Sequence, residues 1–387
     1  MRFEQKLLRY LPRAWALFFV IFLFVFPDFS YAKDDELVIG LAAPLTGDQA
    51  YIGLGVFQGA WMAVEDANTR GPVFGDKRIR LEPLDDQHNP TQAVLAANKL
   101  AANPDAIGVI GHFNSSCTKA AAAIYHEARI VQISPGSTNP EISRQGFDTF
   151  FRVCATDEVQ APTAAAFVFS KLGLKKIAIL DDQTTYGKGL ADEFEKKFSL
   201  LGGTVAQHSG ITQGEKDFTP LLTKIKSLNP ELIFYGGVYP ELALLIKQSK
   251  KLGLTAPWMG GDGIYDVTLI KLATPEHCEG TYATMLGVDP HSLPAAKDFV
   301  TRYEARYGEI GSFSAYAYDA TNVLIEALRR AGKKDREAVL SEVKHTKDFQ
   351  GILGKINFDS KGDAVGRSVG IFKIEKGRFK FLEEVKP

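Results

Sequence analysis

Short apolar segments alternate with longer amphipathic segments along most of this 387-residue chain. A first set predicts strands at residues 37–41, 79–84, 107–110 and 130–134, each separated from the next by a helical pattern or a turn. A second set follows Thr156, with one helix predicted over 158–172 and strands at 176–180, 204–208 and 232–235. Strand–helix alternation with short loops predicts parallel sheets. We therefore expect an α/β fold with two doubly wound parallel-sheet lobes.

The first 32 residues have the order of features found in a secretory signal peptide. Basic residues precede an uncharged apolar run from Ala14 to Pro27, and Ser30-Tyr31-Ala32 forms a small-x-small cleavage site. The apolar run is too short for a membrane anchor, since spanning the hydrocarbon takes about 20 residues. We expect cleavage after Ala32 and a mature chain that begins at Lys33.

Charge and cysteine content exclude several classes of protein. The formal net charge is −1, and this absence of a basic excess argues against nucleic acid or an anionic membrane surface as partner. Cys117, Cys154 and Cys278 are too few for a disulfide scaffold, and their spacing indicates no metal site. We predict no metal and no cofactor. Whether Cys154 and Cys278 form a disulfide stays open.

Hydroxyl-rich turns follow two neighbouring predicted strands. Residues 111–116 follow the strand at 107–110, and residues 134–140 follow the strand at 130–134. Ligands of open α/β sheets bind beyond the carboxyl ends of the strands. Hydroxyls and a helix N-terminus together suit a small anion such as a carboxylate or phosphate. The alternative is that Ser115 and Thr138 are ordinary helix caps.

An isolated carboxylate follows a strand-like segment in the second set. Asp262 stands between glycines, where an acidic residue is usually structural but could also receive the cation of a ligand. Together with the anion-binding turns of the first set, Asp262 would complete a site for a zwitterion.

Two other groups could suggest catalysis. Asp85 and Asp86 could be paired catalytic carboxylates, but we expect a solvated strand end with Asp86 capping the next turn. His112 is a lone histidine at a strand end, and we expect a structural role for it. Because no nucleophile–base pair has recognisable spacing, the sequence does not predict an enzyme.

Six motifs occur in the order of a known family: residues 89–94, 111–116, 133–141, 210–218, 235–241 and 360–363. With these motifs the sequence resembles the periplasmic leucine/isoleucine/valine-binding proteins of ABC transporters, which have the type I periplasmic binding fold. The resemblance covers essentially the whole mature chain. It implies that the chain crosses between the lobes three times, near Arg152, Met285 and Gly351, and that these crossings form a three-strand hinge.

The lobe boundaries follow from the same resemblance. Lobe one would comprise residues 33–152 and 286–350, and lobe two residues 153–285 and 351–387. Ligand would close the cleft between them.

The resemblance also implies roles for individual residues. Ser115, Thr138 and the Ser137 N–H group would bind a ligand carboxylate, while the Gly136 carbonyl and Asp262 would bind its ammonium group. The other expected cleft residues are Tyr51, Phe113, Asn114, Tyr186, Val238, Tyr239 and Phe313.

This sequence departs from the family at several of these positions. The two cysteines of the family's short-loop disulfide align with His88 and Asn114, so that bond cannot form here. Val238 replaces a pocket tyrosine and Phe113 a pocket leucine. Asp262 is one methylene shorter than the family's usual glutamate. Asn114 could face a polar ligand side chain.

The resemblance implies a periplasmic substrate-binding protein that delivers an aliphatic, branched-chain L-amino acid to an ABC permease. The sequence gives no basis for an oligomer, so we expect a monomer. The alternative, which the departures at Phe113, Asn114 and Val238 motivate, is a sensor of the same fold for an amide, a short peptide or an aromatic acid.

Overall fold

The computed structural model describes residues 36–386, so the predicted signal peptide lies outside the described residues. Within this range, no helix combines the length and the apolar character needed to cross a membrane.

The strands alternate with helices for most of the chain, as the sequence predicts. They are β1 (Glu36–Ala43), β2 (Arg78–Asp85), β3 (Ala106–Gly111), β4 (Val131–Ser134), β5 (Phe150–Arg152), β6 (Lys176–Asp181), β7 (Thr204–Gly210), β8 (Leu232–Gly236), β9 (Trp258–Gly260), β10 (Tyr282–Met285), β11 (Phe349–Gly351), β12 (Gly354–Ile356), β13 (Val369–Glu375) and β14 (Arg378–Val385).

The α-helices cover the sheets and connect their strands. They are α1 (Ala50–Thr69), α2 (Pro90–Ala102), α3 (Ser115–Glu127), α4 (Glu141–Arg144), α5 (Asp157–Ala166), α6 (Thr185–Leu200), α7 (Thr219–Leu228), α8 (Tyr239–Lys251), α9 (Val267–Ala273), α10 (Pro275–Cys278), α11 (Lys297–Tyr307), α12 (Ser314–Ala331) and α13 (Arg336–Lys344).

The first lobe is built on a five-stranded sheet with the order β2-β1-β3-β4-β5, in which every pair is parallel. All residues of β3 and β4 are buried, as expected for strands that helices cover on both faces. Helices α1 and α12 pack against each other. Their close approach requires Gly59, where a Cβ atom would lie only 2.0 Å from the Ser314 carbonyl oxygen.

The second lobe is built on a seven-stranded sheet with the order β14-β13-β10-β9-β8-β6-β7. Strands β7, β6, β8, β9 and β10 are parallel to one another. Strands β13 and β14 are added antiparallel at the β10 edge. Lys376 and Gly377 join β13 to β14 with φ angles of 54° and 71°. Positive φ at both positions gives the turn whose twist matches a hairpin. The two parallel-sheet lobes confirm the predicted α/β fold class, and the antiparallel hairpin was not predicted.

The helix predicted over 158–172 has two parts. Its α-helical part ends at Ala166, and a π-helical turn follows over Phe167–Lys171. The Leu172 N–H group donates to the Phe167 carbonyl oxygen at 3.0 Å, which is the wider i to i+5 spacing of that turn.

The expectation that Asp86 is solvated is wrong, because Asp86 is completely buried. Its Oδ1 accepts the His88 N–H at 3.0 Å, so the predicted cap is present. Its Oδ2 lies 2.7 Å from His112 Nδ1, and His112 Nε2 lies 3.1 Å from the Tyr125 hydroxyl. His112 is therefore part of a buried hydrogen-bond network.

The three cysteines are separate buried thiols, and Cys154 is not bonded to Cys278. Burial raises the pKa of each thiol above its usual range.

Arg152, at the end of β5, is completely buried and has a partner for each of its donor nitrogens. Its Nε donates to Asp363 Oδ1 at 2.6 Å, and its Nη2 donates to Ser143 Oγ at 3.0 Å. Its Nη1 donates to the carbonyl oxygens of Ser137 and Asn139 at 2.6 and 2.9 Å. The guanidinium therefore holds the polar turn after β4 and ties it to the segment after β12.

We expect Arg152→Met to lower the free energy of unfolding by at least about 3 kcal/mol, because it leaves a partly buried carboxylate and two buried carbonyls unpaired. Urea unfolding followed by circular dichroism measures the change. Arg302→Met is the matched control, since Arg302 forms an exposed pair with Asp66 at 2.8 Å and its loss should cost under about 1 kcal/mol. Equal losses for the two variants would contradict this assignment.

Candidate functional site

A small cavity lies where the two lobes face each other. Its volume is about 10 Å³, and it is lined by Phe113, Asn114, Ser115, Gly136, Tyr186, Val238, Asp262 and Gly263. All of these except Gly263 were predicted from the sequence. A cavity of this size has room for about one water molecule. The lobes are therefore closed together, and a larger solute can enter only when they separate.

Neither hydroxyl of the first lobe is a helix cap. Ser115 is the first residue of α3, whose N-cap is Asn114, and α4 has Pro140 as its N-cap. The alternative that Ser115 and Thr138 are ordinary caps is therefore wrong. Ser115 Oγ accepts only a long 3.4 Å bond from the Asn139 N–H. Thr138 Oγ1 is buried and has no hydrogen-bond partner among residues 36–386.

The turn that carries Thr138 is fixed by its own hydrogen bonds. Ser134 Oγ accepts the N–H groups of Gly136 at 3.3 Å and Ser137 at 2.9 Å. Ser137 Oγ donates to the Phe113 carbonyl oxygen at 2.8 Å. Since the Ser137 N–H already has a partner, it would have to leave Ser134 to bind a ligand carboxylate.

Asp262 faces these hydroxyls from the second lobe. It is the first residue of a 3₁₀ turn over Asp262–Ile264, directly after β9. The Tyr186 hydroxyl donates to Asp262 Oδ1 at 3.0 Å and accepts the Gly263 N–H at 2.9 Å. Burial raises the pKa of Asp262 to about 6, against the opposing effect of its Gln160 and Tyr186 neighbours.

A second buried carboxyl, Asp157, was missed by the sequence analysis. It is the first residue of α5, and neither of its carboxylate oxygens has a hydrogen-bond partner in the described part of the chain. Burial, and next the charge of Asp262, raise the pKa of Asp157 to about 8. An acidic residue in the first turn of a helix is common, so the sequence carried no signal of its burial.

The charges around the cavity are unbalanced. Among the described residues, no lysine, arginine or histidine lines it, whereas Asp262 does. Asp157 lies close enough to Asp262 for the charge of Asp262 to raise its pKa. A buried carboxylate without a cation is costly, so these groups favour a ligand with a positive group. The Ser115 hydroxyl and the N-terminus of α3 favour a negative group at the wall formed by the first lobe. Ser137 and Thr138, which were predicted to act with Ser115, do not line the cavity. The arrangement can therefore hold a zwitterion.

Phe113 and Val238 are the large apolar side chains of the lining, and the predicted Phe313 does not line the cavity. The rings of Phe113 and Phe313 pack edge to face with centroids 4.7 Å apart. Both pack on Gly136, where a Cβ atom would lie 2.6 Å from the Phe113 ring. Val238, the N-cap residue of α8, is buried beside them.

The other predicted aromatic residues lie outside the immediate lining. Tyr239 donates its hydroxyl to the Asp48 carbonyl oxygen at 2.7 Å, which joins the second lobe to the first. The Lys271 ammonium lies 5.4 Å from the centroid of the Tyr51 ring.

Further hydrogen bonds join the lobes beside the cavity. The Thr185 N–H donates to Ser116 Oγ at 3.1 Å, and Asn139 Nδ2 donates to the Thr185 carbonyl oxygen at 2.6 Å. These bonds hold the first turn of α6 against the polar turns of the first lobe.

A larger cavity of about 650 Å³ lies along a different groove and contains none of the predicted residues. Charged groups of both signs line it, among them Asp266, Lys271 and Glu309. The smaller cavity is the candidate site because the predicted polar groups converge on it. Between residues 36 and 386, no cluster of three or more potential metal ligands is present.

Comparison with known proteins agrees with this fold. Residues 36–378 match the family model described as periplasmic binding protein. The chain is 38% identical over 329 residues to an amino acid binding protein of Pseudomonas aeruginosa, covering 85% of this chain and 87% of that protein. It is 35% identical over 357 residues to the leucine-, isoleucine-, valine-, threonine-, and alanine-binding protein of the same organism, covering 91% and 93%.

Solved structures give the same result. A leucine-binding protein from Thermotoga maritima superimposes with a TM-score of 0.85 at 33% identity, covering 91% of this chain and 99% of that one. A branched-chain amino acid transporter substrate-binding protein from Streptococcus pneumoniae, in complex with isoleucine, gives 0.84 at 27% identity, covering 91% and 100%. Each of these proteins is named for the solute that it binds, and none of them is named as an enzyme. The chain belongs to the periplasmic binding protein family.

Proposed function

We propose that this protein is the periplasmic substrate-binding component of an ABC importer and that it binds an aliphatic, branched-chain L-amino acid between its lobes. The observation that carries the proposal is the cavity between Ser115 of one lobe and Asp262 of the other. Hydroxyls stand on one side of this gap and a buried carboxylate on the other, which matches the two charges of an α-amino acid.

The carboxylate end of the ligand would bind the first lobe. Ser115 and Thr138 are both buried, and Ser115 Oγ accepts the N–H of Asn139, the residue after Thr138, at 3.4 Å. Hydrogen bonds from hydroxyls to a charged oxygen are stronger than those between neutral groups. The partial positive charge at the start of α3 adds to them.

The ammonium end would bind Asp262, with Tyr186 fixing the carboxylate through its hydroxyl. Asp157, at the start of α5, keeps its proton up to about pH 8 and so adds no full negative charge at neutral pH, and the Gly136 carbonyl was predicted to accept from the same ammonium. A ligand cation relieves the cost of burying the Asp262 carboxylate, because it replaces the water that this group has lost.

The apolar wall formed by Phe113 and Val238, with Phe313 packed against Phe113, would contact the ligand's side chain. The names of relatives support an aliphatic side chain: the T. maritima protein binds leucine, and the S. pneumoniae structure contains isoleucine.

Transport would use the opening and closing of the lobes. We propose that lobe one comprises residues 33–152 and 286–350, lobe two the remainder of the mature chain, and that ligand shifts the equilibrium toward closure. The rims of the closed cleft would contact the permease. A monomer is sufficient for this role.

The alternative ligands are less compatible with the charges. An aromatic acid or an uncharged amide would leave the Asp262 carboxylate without a cation in a buried site. An aromatic acid would also bring a second negative charge toward it.

We expect Asp262→Ala and Ser115→Ala each to weaken binding of L-leucine or L-valine by at least about 1.5 kcal/mol, because each removes a buried partner of a charged ligand group. Isothermal titration calorimetry on protein stripped of solute by unfolding and refolding measures the loss. Ser227→Ala, at an exposed helix position, is the control and should leave affinity unchanged. Unchanged affinity in both site variants would reject the site assignment.

Ligand affinity should fall in acid. The pKa of Asp262 is raised to about 6, so its carboxylate is lost as the pH falls through that value, whereas the ligand's ammonium stays charged. Between about pH 7.5 and pH 5 we expect the dissociation constant to rise about tenfold. Calorimetry in matched buffers tests this, with circular dichroism to confirm that the protein stays folded. A dissociation constant that is flat over this range would show that Asp262 does not hold the ammonium.

Asp157→Asn should stabilise the ligand-free protein increasingly as the pH rises. The folded protein holds the Asp157 proton up to about pH 8, whereas the unfolded chain releases it near 3.8, so this carboxyl lowers stability as the pH rises between those values. The stability advantage of the variant should grow by about 1 kcal/mol or more from pH 5 to pH 8. Urea unfolding at several pH values measures it.

Asp76→Asn, at an exposed position, is the control for that comparison and should follow the wild type at every pH. If Asp157→Asn also followed the wild type, Asp157 would not be buried as an isolated acid in the folded protein.

A further inference from the structure

Asn114 places an unsatisfied polar group in the otherwise apolar part of the cavity wall. Its side chain does not cap α3, although Asn114 is the N-cap residue. Its Nδ2 donates to Gln49 Oε1 at 2.9 Å, while its Oδ1 is buried and has no partner between residues 36 and 386. Asn114 lines the cavity together with Phe113 and Val238. A buried amide oxygen without a partner calls for a hydrogen-bond donor.

A chain of polar side chains holds the Asn114 amide in place. Gln49 is almost completely buried and contacts the His88 ring through Nε2. Gln213 Nε2, in the second lobe, lies 3.3 Å from His88 Nε2. His88 and Asn114 are the two positions that align with the family's disulfide cysteines, so hydrogen bonds through Gln49 occupy the place of that covalent link. The Asn114 side chain is therefore a fixed part of the wall and not a mobile surface group.

The donor and acceptor groups of the Asn114 amide decide which ligand group could pair with it. If the oxygen and nitrogen of both amides were exchanged, Asn114 would present an N–H group to the cavity in place of its oxygen. A hydroxyl both donates and accepts, so it satisfies either arrangement, whereas a methyl group satisfies neither. The other polar groups of the lining, Ser115 and Asp262, are used by the ligand's α-carboxylate and α-ammonium in the proposed function.

We propose that the Asn114 amide recognises a hydroxyl on the ligand's side chain, so that the protein prefers a β-hydroxylated branched amino acid to its aliphatic isostere. This inference rests on the proposed function and narrows it. A site built around a buried hydrogen-bonding group rejects the analogue that lacks the matching group, whereas an apolar pocket discriminates only weakly between isosteres.

L-threonine and L-valine make the sharpest test, because they have the same shape and differ by a hydroxyl in place of a methyl group. Calorimetry on the refolded, solute-free protein should give a dissociation constant for L-threonine at least about fivefold lower than for L-valine. In Asn114→Leu, which replaces the amide by an apolar group of similar size, L-valine should bind as tightly as L-threonine or more tightly.

Asn98→Leu is the matched control, since Asn98 is an exposed amide on α2 and its replacement should leave the ratio of the two affinities at the wild-type value. The wild-type ratio decides the proposal even if Asn114→Leu does not fold. Equal binding of the two ligands, or tighter binding of L-valine, would overturn the inference and leave the proposed function intact. If neither amino acid binds and L-leucine also fails, the proposed function falls and the inference falls with it.

Discussion

The buried Arg152 guanidinium is the interaction on which the candidate site depends. Its Nη1 binds the carbonyl oxygens of Ser137 and Asn139, the residues on either side of Thr138, and so fixes the backbone of this turn. Its ion pair with Asp363 joins this turn to a segment more than two hundred residues later in the chain. A single charge thus joins the polar turn after β4 to the segment after β12. The full hydrogen-bond complement of the guanidinium is what makes its burial tolerable.

The sequence predicted the architecture and much of the site for a physical reason. Parallel strands end at one edge of a sheet, so polar residues that follow successive strands must converge. Ser115 follows β3 and Thr138 follows β4, and the N–H of Asn139, next to Thr138, donates to Ser115 Oγ. Asp262 follows β9 of the other sheet and lines the cavity together with Ser115. The alternation of strands and helices does not indicate that the edges of the two sheets face each other. That expectation came from the resemblance to a known family.

The features that were missed depend on contacts between distant segments. Asp86 was expected in solvent, yet it is buried against His112, a partner 26 residues further along the chain. Asp157 begins a helix, where an acid is unremarkable in a sequence, and only the packing of both lobes removes it from water. The β13–β14 hairpin breaks the alternation of strands and helices, because the turn at Lys376 and Gly377 joins its two strands antiparallel. The local sequence pattern predicts helices and strands, whereas the burial of an individual charged residue depends on how distant segments pack in the folded core.

The hydrogen bonds between the lobes have a kinetic consequence. The bonds of Thr185 with Ser116 and Asn139, and that of Tyr239 with Asp48, connect protein to protein and do not require a solute. They favour the shut form for any occupant, and they must break before an occupant can leave. Stronger bonds of this kind therefore lengthen the residence time of a bound molecule without discriminating between molecules. They also lower the population of the open form, and the rate of ligand binding falls in proportion. Selectivity between ligands must then come from the residues that line the cavity, whereas the residence time depends on the hydrogen bonds between the lobes beside it.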